Sequence, residues 1–98
     1  MVRLGFIGCG GINRHHAKTI RSEVPGLEIT AAADVSTEAR AAFEKENPGV
    51  VLFDDYRSML GKGALDAVCI GLPTGLHPEA VLAAAGAGKH VFCEKPMA

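Results

Sequence analysis

Short apolar runs alternate along this chain with longer stretches of helical character, and glycine, proline and asparagine mark most of the boundaries. Val2-Arg3-Leu4-Gly5-Phe6-Ile7 reads as a buried first strand, Ile12 through Ser22 as a helix, and Pro25-Gly26 as its stop. Leu27 through Ala33 is a second strand closing on Asp34, followed by a helix capped by Ser36 or Thr37 that runs to about Glu46 and stops at Asn47-Pro48-Gly49. Val50 to Phe53 forms a short third strand, and a brief helical turn from Tyr56 to Leu60 ends at Gly61-Lys62-Gly63. Ala67-Val68-Cys69-Ile70 is a near-continuous apolar run, as a central parallel strand is. Pro78 suits the first helical position of the alanine-rich helix that follows, Glu79 complements its dipole, and Gly86 with Gly88 ends it before a fifth strand, Val91 to Cys93. Five strands joined by right-handed helical crossovers predict an α/β, doubly wound parallel sheet of order 3-2-1-4-5. Such sheets bind ligands beyond the carboxyl ends of the strands where the order reverses, here between the first and fourth.

Composition narrows the functional classes. The 98 residues suit one small domain, and 48% hydrophobic with 21% charged residues is a globular profile. Ten basic and eleven acidic side chains give a net charge of −1, so no positive field is present to hold nucleic acid. The three cysteines are too few for a disulfide scaffold and fit a reducing cytoplasm. The first apolar run is too short, and too soon broken by glycine, for a signal peptide or a membrane span. No histidines and carboxylates stand at metal-ligand spacing, so no metal is expected.

The loop after the first strand, Gly8-Cys9-Gly10-Gly11-Ile12-Asn13, meets the dinucleotide fingerprint at its first two glycines and departs from it at the third. Gly8 permits the tight turn, and Gly10 lets backbone N–H groups approach a pyrophosphate at the helix N-terminus. Asn13 stands where a glycine allows close helix packing, with its amide open to a phosphate or to a neighbouring loop. Cys9 reads as a small space-filler whose backbone faces the phosphate, and Cys69 and Cys93 read as core residues. Asp34 lies about two dozen residues beyond Gly10, near the spacing at which a carboxylate accepts from the ribose hydroxyls of NAD; the competing role is to cap the next helix. No cation directly follows Asp34 to neutralise a 2′-phosphate, so NAD is expected over NADP, with Arg40 the residue able to turn inward for the latter.

Later loops carry a resemblance. Pro73-Thr74-Gly75-Leu76-His77, then Gly88-Lys89-His90-Val91 and Cys93-Glu94-Lys95-Pro96, with the glycine loop and Asp34 in the same order, make the chain similar to the N-terminal NAD(P)-binding domain of the Gfo/Idh/MocA oxidoreductases over nearly its whole length. The resemblance implies hydride transfer between NAD(P) and a sugar, polyol or related hydroxy or carbonyl compound. It implies that Lys95 faces the nicotinamide and stabilises the developing alkoxide, as an ammonium can. Glu94 would orient Lys95 or contact a ribose, and Pro96 would fix the direction of the lysine, a cis bond being one way. Pro73, Thr74 and His77 would border the nicotinamide, with helix capping the alternative for His77.

The family's substrate domain, which supplies a histidine, an aspartate and the oligomer interface, is expected to lie outside residues 1–98. Residues 1–98 are therefore read as one dinucleotide-binding domain, catalytically incomplete and self-associating through an uncovered sheet edge or through the surface that would meet the second domain. The alternative reading is a non-catalytic dinucleotide-binding module.

Overall fold

A computed structural model of the protein describes residues 2–23, 25–62, 65–71 and 77–93. In chain order the elements are β1 (Val2–Ile7), α1 (Gly11–Glu23), β2 (Leu27–Ala33), α2 (Thr37–Glu46), β3 (Val51–Phe53), α3 (Tyr56–Lys62), β4 (Ala67–Ile70), α4 (His77–Gly86) and β5 (His90–Cys93). All strand pairings are parallel and the sheet order is β3-β2-β1-β4-β5, the doubly wound arrangement expected. The boundaries differ from the pattern reading by a residue at several ends. The larger change is α3, which runs through Gly61 and Lys62 instead of stopping before them. Met59 and Leu60 are buried against the sheet, and that packing carries the helix past a glycine whose Cβ would meet nothing.

The alternation of side chains along the strands divides the core into two layers. On one face Ile7, Val68 and Ile70 pack beneath α3 and α4 with Met59, Ala80 and Ala84; on the other Leu4, Phe6 and Ala67 pack beneath α1 and α2 with Ala17 and Phe43. Alanines on α4 and Gly5 on β1 let these layers close tightly. A Cβ on Gly5 would lie 2.7 Å from Leu65 Cδ1. Strand β2 contains a bulge, since Leu4 pairs with Ile29 but Gly5 with Ala31, leaving Thr30 as the extra residue. That insertion reverses the alternation, so Ile29 and Ala32 share the α1/α2 face while Ala31 and Ala33 take the other.

At the amino-terminal end of the sheet Asp66 joins three strands. Its carboxylate accepts from the Arg3 N–H at 2.8 Å and from the Arg3 guanidinium at 3.2 and 3.3 Å, while its carbonyl accepts from the His90 N–H at 3.1 Å. The Arg3 side chain, then its backbone N–H, hold the Asp66 carboxyl down to about 2. An unfolded aspartate titrates near 3.9, so the staple contributes its full stability above about pH 4 and loses it as pH falls toward 2. The urea midpoints of wild type and Asp66→Asn are expected to differ at pH 6 and to converge near pH 2. Equal midpoints at both values would show that this pair carries no stability.

Candidate functional site

Strand β1 lies between β2 and β4, so the crossovers leave it in opposite directions, and doubly wound sheets bind ligands in the crevice beyond the carboxyl end at such a switch point. The chain enters this crevice at Gly8, whose φ of 101° is reserved for glycine and whose N–H donates to the Ala33 carbonyl at 2.7 Å. Helix α1 begins at once. The Arg14 N–H donates to the Gly10 carbonyl at 2.9 Å, which makes Gly10 the N-cap and leaves the N–H groups of Gly11, Ile12 and Asn13 without intrahelical acceptors. No acidic residue occupies the first turn of α1, so nothing on the helix itself neutralises its positive end.

The two glycines at this helix start are explained neither by backbone nor by packing. Gly10 and Gly11 have no positive φ, and a Cβ on either would meet no atom within 4 Å. What glycine secures there is bare backbone open to an outside group. The exposed backbone of Gly10 and Gly11 at a helix N-terminus fits an anion such as the pyrophosphate of a dinucleotide.

Asp34 stands beside this loop at the end of β2. Its Oδ2 accepts from the Cys9 N–H and its Oδ1 from the Ser36 N–H, both at 2.8 Å. The backbone of Cys9 is therefore turned to Asp34, correcting the expectation that it faces a phosphate. The Cys9 side chain fills the core as expected, and burial, helped by the negative charge of Asp34, pushes its thiol up to about 12, which makes it inert at neutral pH. The cap of α2 is Ser36, whose Oγ accepts from the Ala39 N–H at 3.1 Å, so the capping role that competed for Asp34 is filled. A carboxylate has about four lone-pair sites, and two backbone donors leave room for two hydroxyls. Arg40 does turn inward, but to the Asp34 carbonyl, which Nη1 reaches at 2.6 Å, while Nη2 donates to Thr37 Oγ1 at 3.2 Å.

Asn13 resolves its own alternatives. The residue is 1% exposed, and Nδ2 donates to the carbonyls of Gly8 at 2.8 Å, Ile7 at 3.1 Å and Cys69 at 3.4 Å. The amide serves the strand ends and not a phosphate, and the residue as a whole is buried, which corrects the expectation that Asn13 contacts the cofactor. Gly71, just after β4, packs against this amide, and the sequence reading passed over it. Its position directly behind a central strand was the available signal.

His77 is the first residue of α4. Pro73, Thr74, Glu94, Lys95 and Pro96 lie outside the described residues, as does the question of a cis bond at Pro96. Among the described residues no group of three or more His, Cys, Asp and Glu could hold a metal, and no helix is long and apolar enough to cross a membrane.

Comparison with known proteins agrees with this geometry. The chain matches the Gfo/Idh/MocA oxidoreductase family, NAD-binding Rossmann fold, over residues 2–98. It is 37% identical to inositol 2-dehydrogenase of Agrobacterium fabrum, over 99% of this chain and 29% of that protein. The scyllo-inositol dehydrogenase of Lactobacillus casei, solved with NAD(H) and scyllo-inositol, superposes with a TM-score of 0.90 at 32% identity, over 98% of this chain and 28% of the other. WlbA dehydrogenase of Bordetella pertussis, solved with NADH and UDP-GlcNAcA, gives 0.90 at 37% identity, over 99% and 29%. The chain thus spans less than a third of the length of these relatives. With its glycine loop at the switch point, its order 3-2-1-4-5 and a match from residue 2 to residue 98, the chain belongs to the Gfo/Idh/MocA oxidoreductase family, as its NAD-binding Rossmann fold.

Proposed function

We propose that this chain holds NAD across the crevice between β1 and β4, and that the complete protein moves a hydride between NAD and a hydroxyl group of a polyol or sugar. The observation that carries the reading is the bare helix start at Gly10-Gly11 with Asp34 locked beside it, donors for a diphosphate next to an acceptor for a diol. The N–H groups of Gly11 and Ile12 would bind the pyrophosphate, with Gly8 setting the turn, Gly10 giving clearance and the buried Asn13 supporting the loop from below. Asp34 would accept the adenosine ribose hydroxyls and repel a 2′-phosphate. NAD, when bound, supplies the hydride acceptor.

From the family resemblance, Lys95 would hold its ammonium against the substrate oxygen as negative charge develops there, with Glu94 and Pro96 orienting it and Pro73, Thr74 and His77 bordering the nicotinamide. Relatives named as dehydrogenases favour this over a non-catalytic module. Three cysteines, too few for a disulfide scaffold, support a cytoplasmic setting.

Calorimetric titration tests the cofactor reading. NAD is expected to bind at least about tenfold more tightly than NADP, a difference of about 1.4 kcal/mol, and Asp34→Ala should narrow that gap. Absence of binding by either nucleotide would sink the proposal, and equal binding would remove Asp34 from it.

A further inference from the structure

We propose that Asn13 is a positioning residue that ties the glycine loop to the end of β4, so that the carboxyl ends of β1 and β4 keep one separation. This rests on the cofactor reading above and concerns how the site is held, since the side chain touches no exposed surface.

The amide stands at the third residue of α1, where the dinucleotide fingerprint has a glycine for close helix packing. Here the space is filled and bonded. Two amide protons are shared among three carbonyls, those of Ile7 and Gly8 leaving β1 and that of Cys69 near the end of β4. The amide oxygen accepts from the Cys69 thiol at 3.6 Å, so both ends of the side chain engage the same residue of β4. Gly71 closes the contact. A Cβ there would sit 2.6 Å from Cγ and Oδ1 of Asn13, and the Gly71 N–H donates to the Ile7 carbonyl at 2.9 Å.

One buried side chain therefore spans the floor of the crevice from the first turn of α1 to β4. The wall on the α1 side carries the pyrophosphate donors. The chain leaving β4 leads to Pro73, Thr74 and His77, assigned above to the nicotinamide end. The adenosine end depends instead on β2, whose Asp34 is joined to the loop through the Cys9 N–H with no part played by Asn13. Loosening Asn13 should thus weaken a ligand that spans the crevice more than one that occupies its adenosine side.

The experiment titrates wild type, Asn13→Ala and Gly71→Ala with NAD and with AMP, expressing affinity per folded molecule. Asn13→Ala keeps the backbone N–H and loses the brace; Gly71→Ala keeps the amide and displaces it. In both variants NAD affinity is expected to fall at least about tenfold while AMP affinity stays within about twofold, because only the spanning ligand needs both walls preorganised. A purely structural role would lower both affinities together or neither. An unchanged NAD to AMP ratio in either variant overturns the proposal. A wild-type chain that binds neither nucleotide overturns the cofactor reading and this inference with it.

Discussion

A Gly10→Val chain is expected to unfold at nearly the denaturant concentration of the wild type, within about 1 kcal/mol, and to bind NAD about a hundredfold more weakly. The small stability change follows from the open surroundings of Gly10. Its φ is not positive and a Cβ would meet nothing, so valine brings no clash and loses only the modest preference of an N-cap for glycine. The binding loss follows from the same openness, because a branched side chain over the helix start keeps a pyrophosphate from reaching the N–H groups of Gly11 and Ile12. Gly8→Val is the contrasting control. There φ is 101°, so the substitution strains the backbone and should lower stability before any ligand is added. Chemical unfolding and calorimetry on the two variants separate the roles. A Gly10→Val chain that binds NAD like the wild type would remove the loop from the site.

Phe43→Ala is expected to cost about 3–5 kcal/mol, a large share of a total stability of the order of 5–15 kcal/mol. Phe43 is the buried residue of α2 and is fully enclosed, its ring 5.4 Å from that of Phe6 and tilted by 55°. Truncation leaves a cavity between α2 and the sheet. The consequence reaches the site, because α2 is the helix capped by Ser36, which in turn meets Asp34. Phe43→Leu, which fills most of the space, should lose clearly less. Urea midpoints measure both, and NAD at about a hundred times its dissociation constant should restore about 2.7 kcal/mol by mass action. If Phe43→Ala shifted the midpoint no more than a surface substitution, the packing of α2 on β1 would be of little account.

Much of this architecture could be read from local pattern. Apolar runs bounded by Gly, Pro and Asn delimited five strands, and the need for right-handed crossovers then gave their order. Asp34 was legible from its spacing and Ser36 from its place before a helix. Those signals arise between near neighbours, so they survive in one dimension. The third residue of the fingerprint was legible only as a departure: spacing says that Asn13 is not glycine, and nothing about where its amide points.

Where the amide points was decided by closure of the sheet. Asn13 and Cys69 are 56 residues apart, and Cys9 and Asp34 are 25 apart, so neither partner is implied by sequence periodicity. The bulge at Thr30 and the extension of α3 past Gly61 have the same origin, since packing against elements elsewhere in the chain outweighed the local rule. By itself the sequence determined the strands, their order, the glycine loop and the acidic residue beside it. Tertiary structure alone decided which backbone groups those residues satisfy, because a buried hydrogen bond exists only once its distant donor and acceptor share one desolvated space.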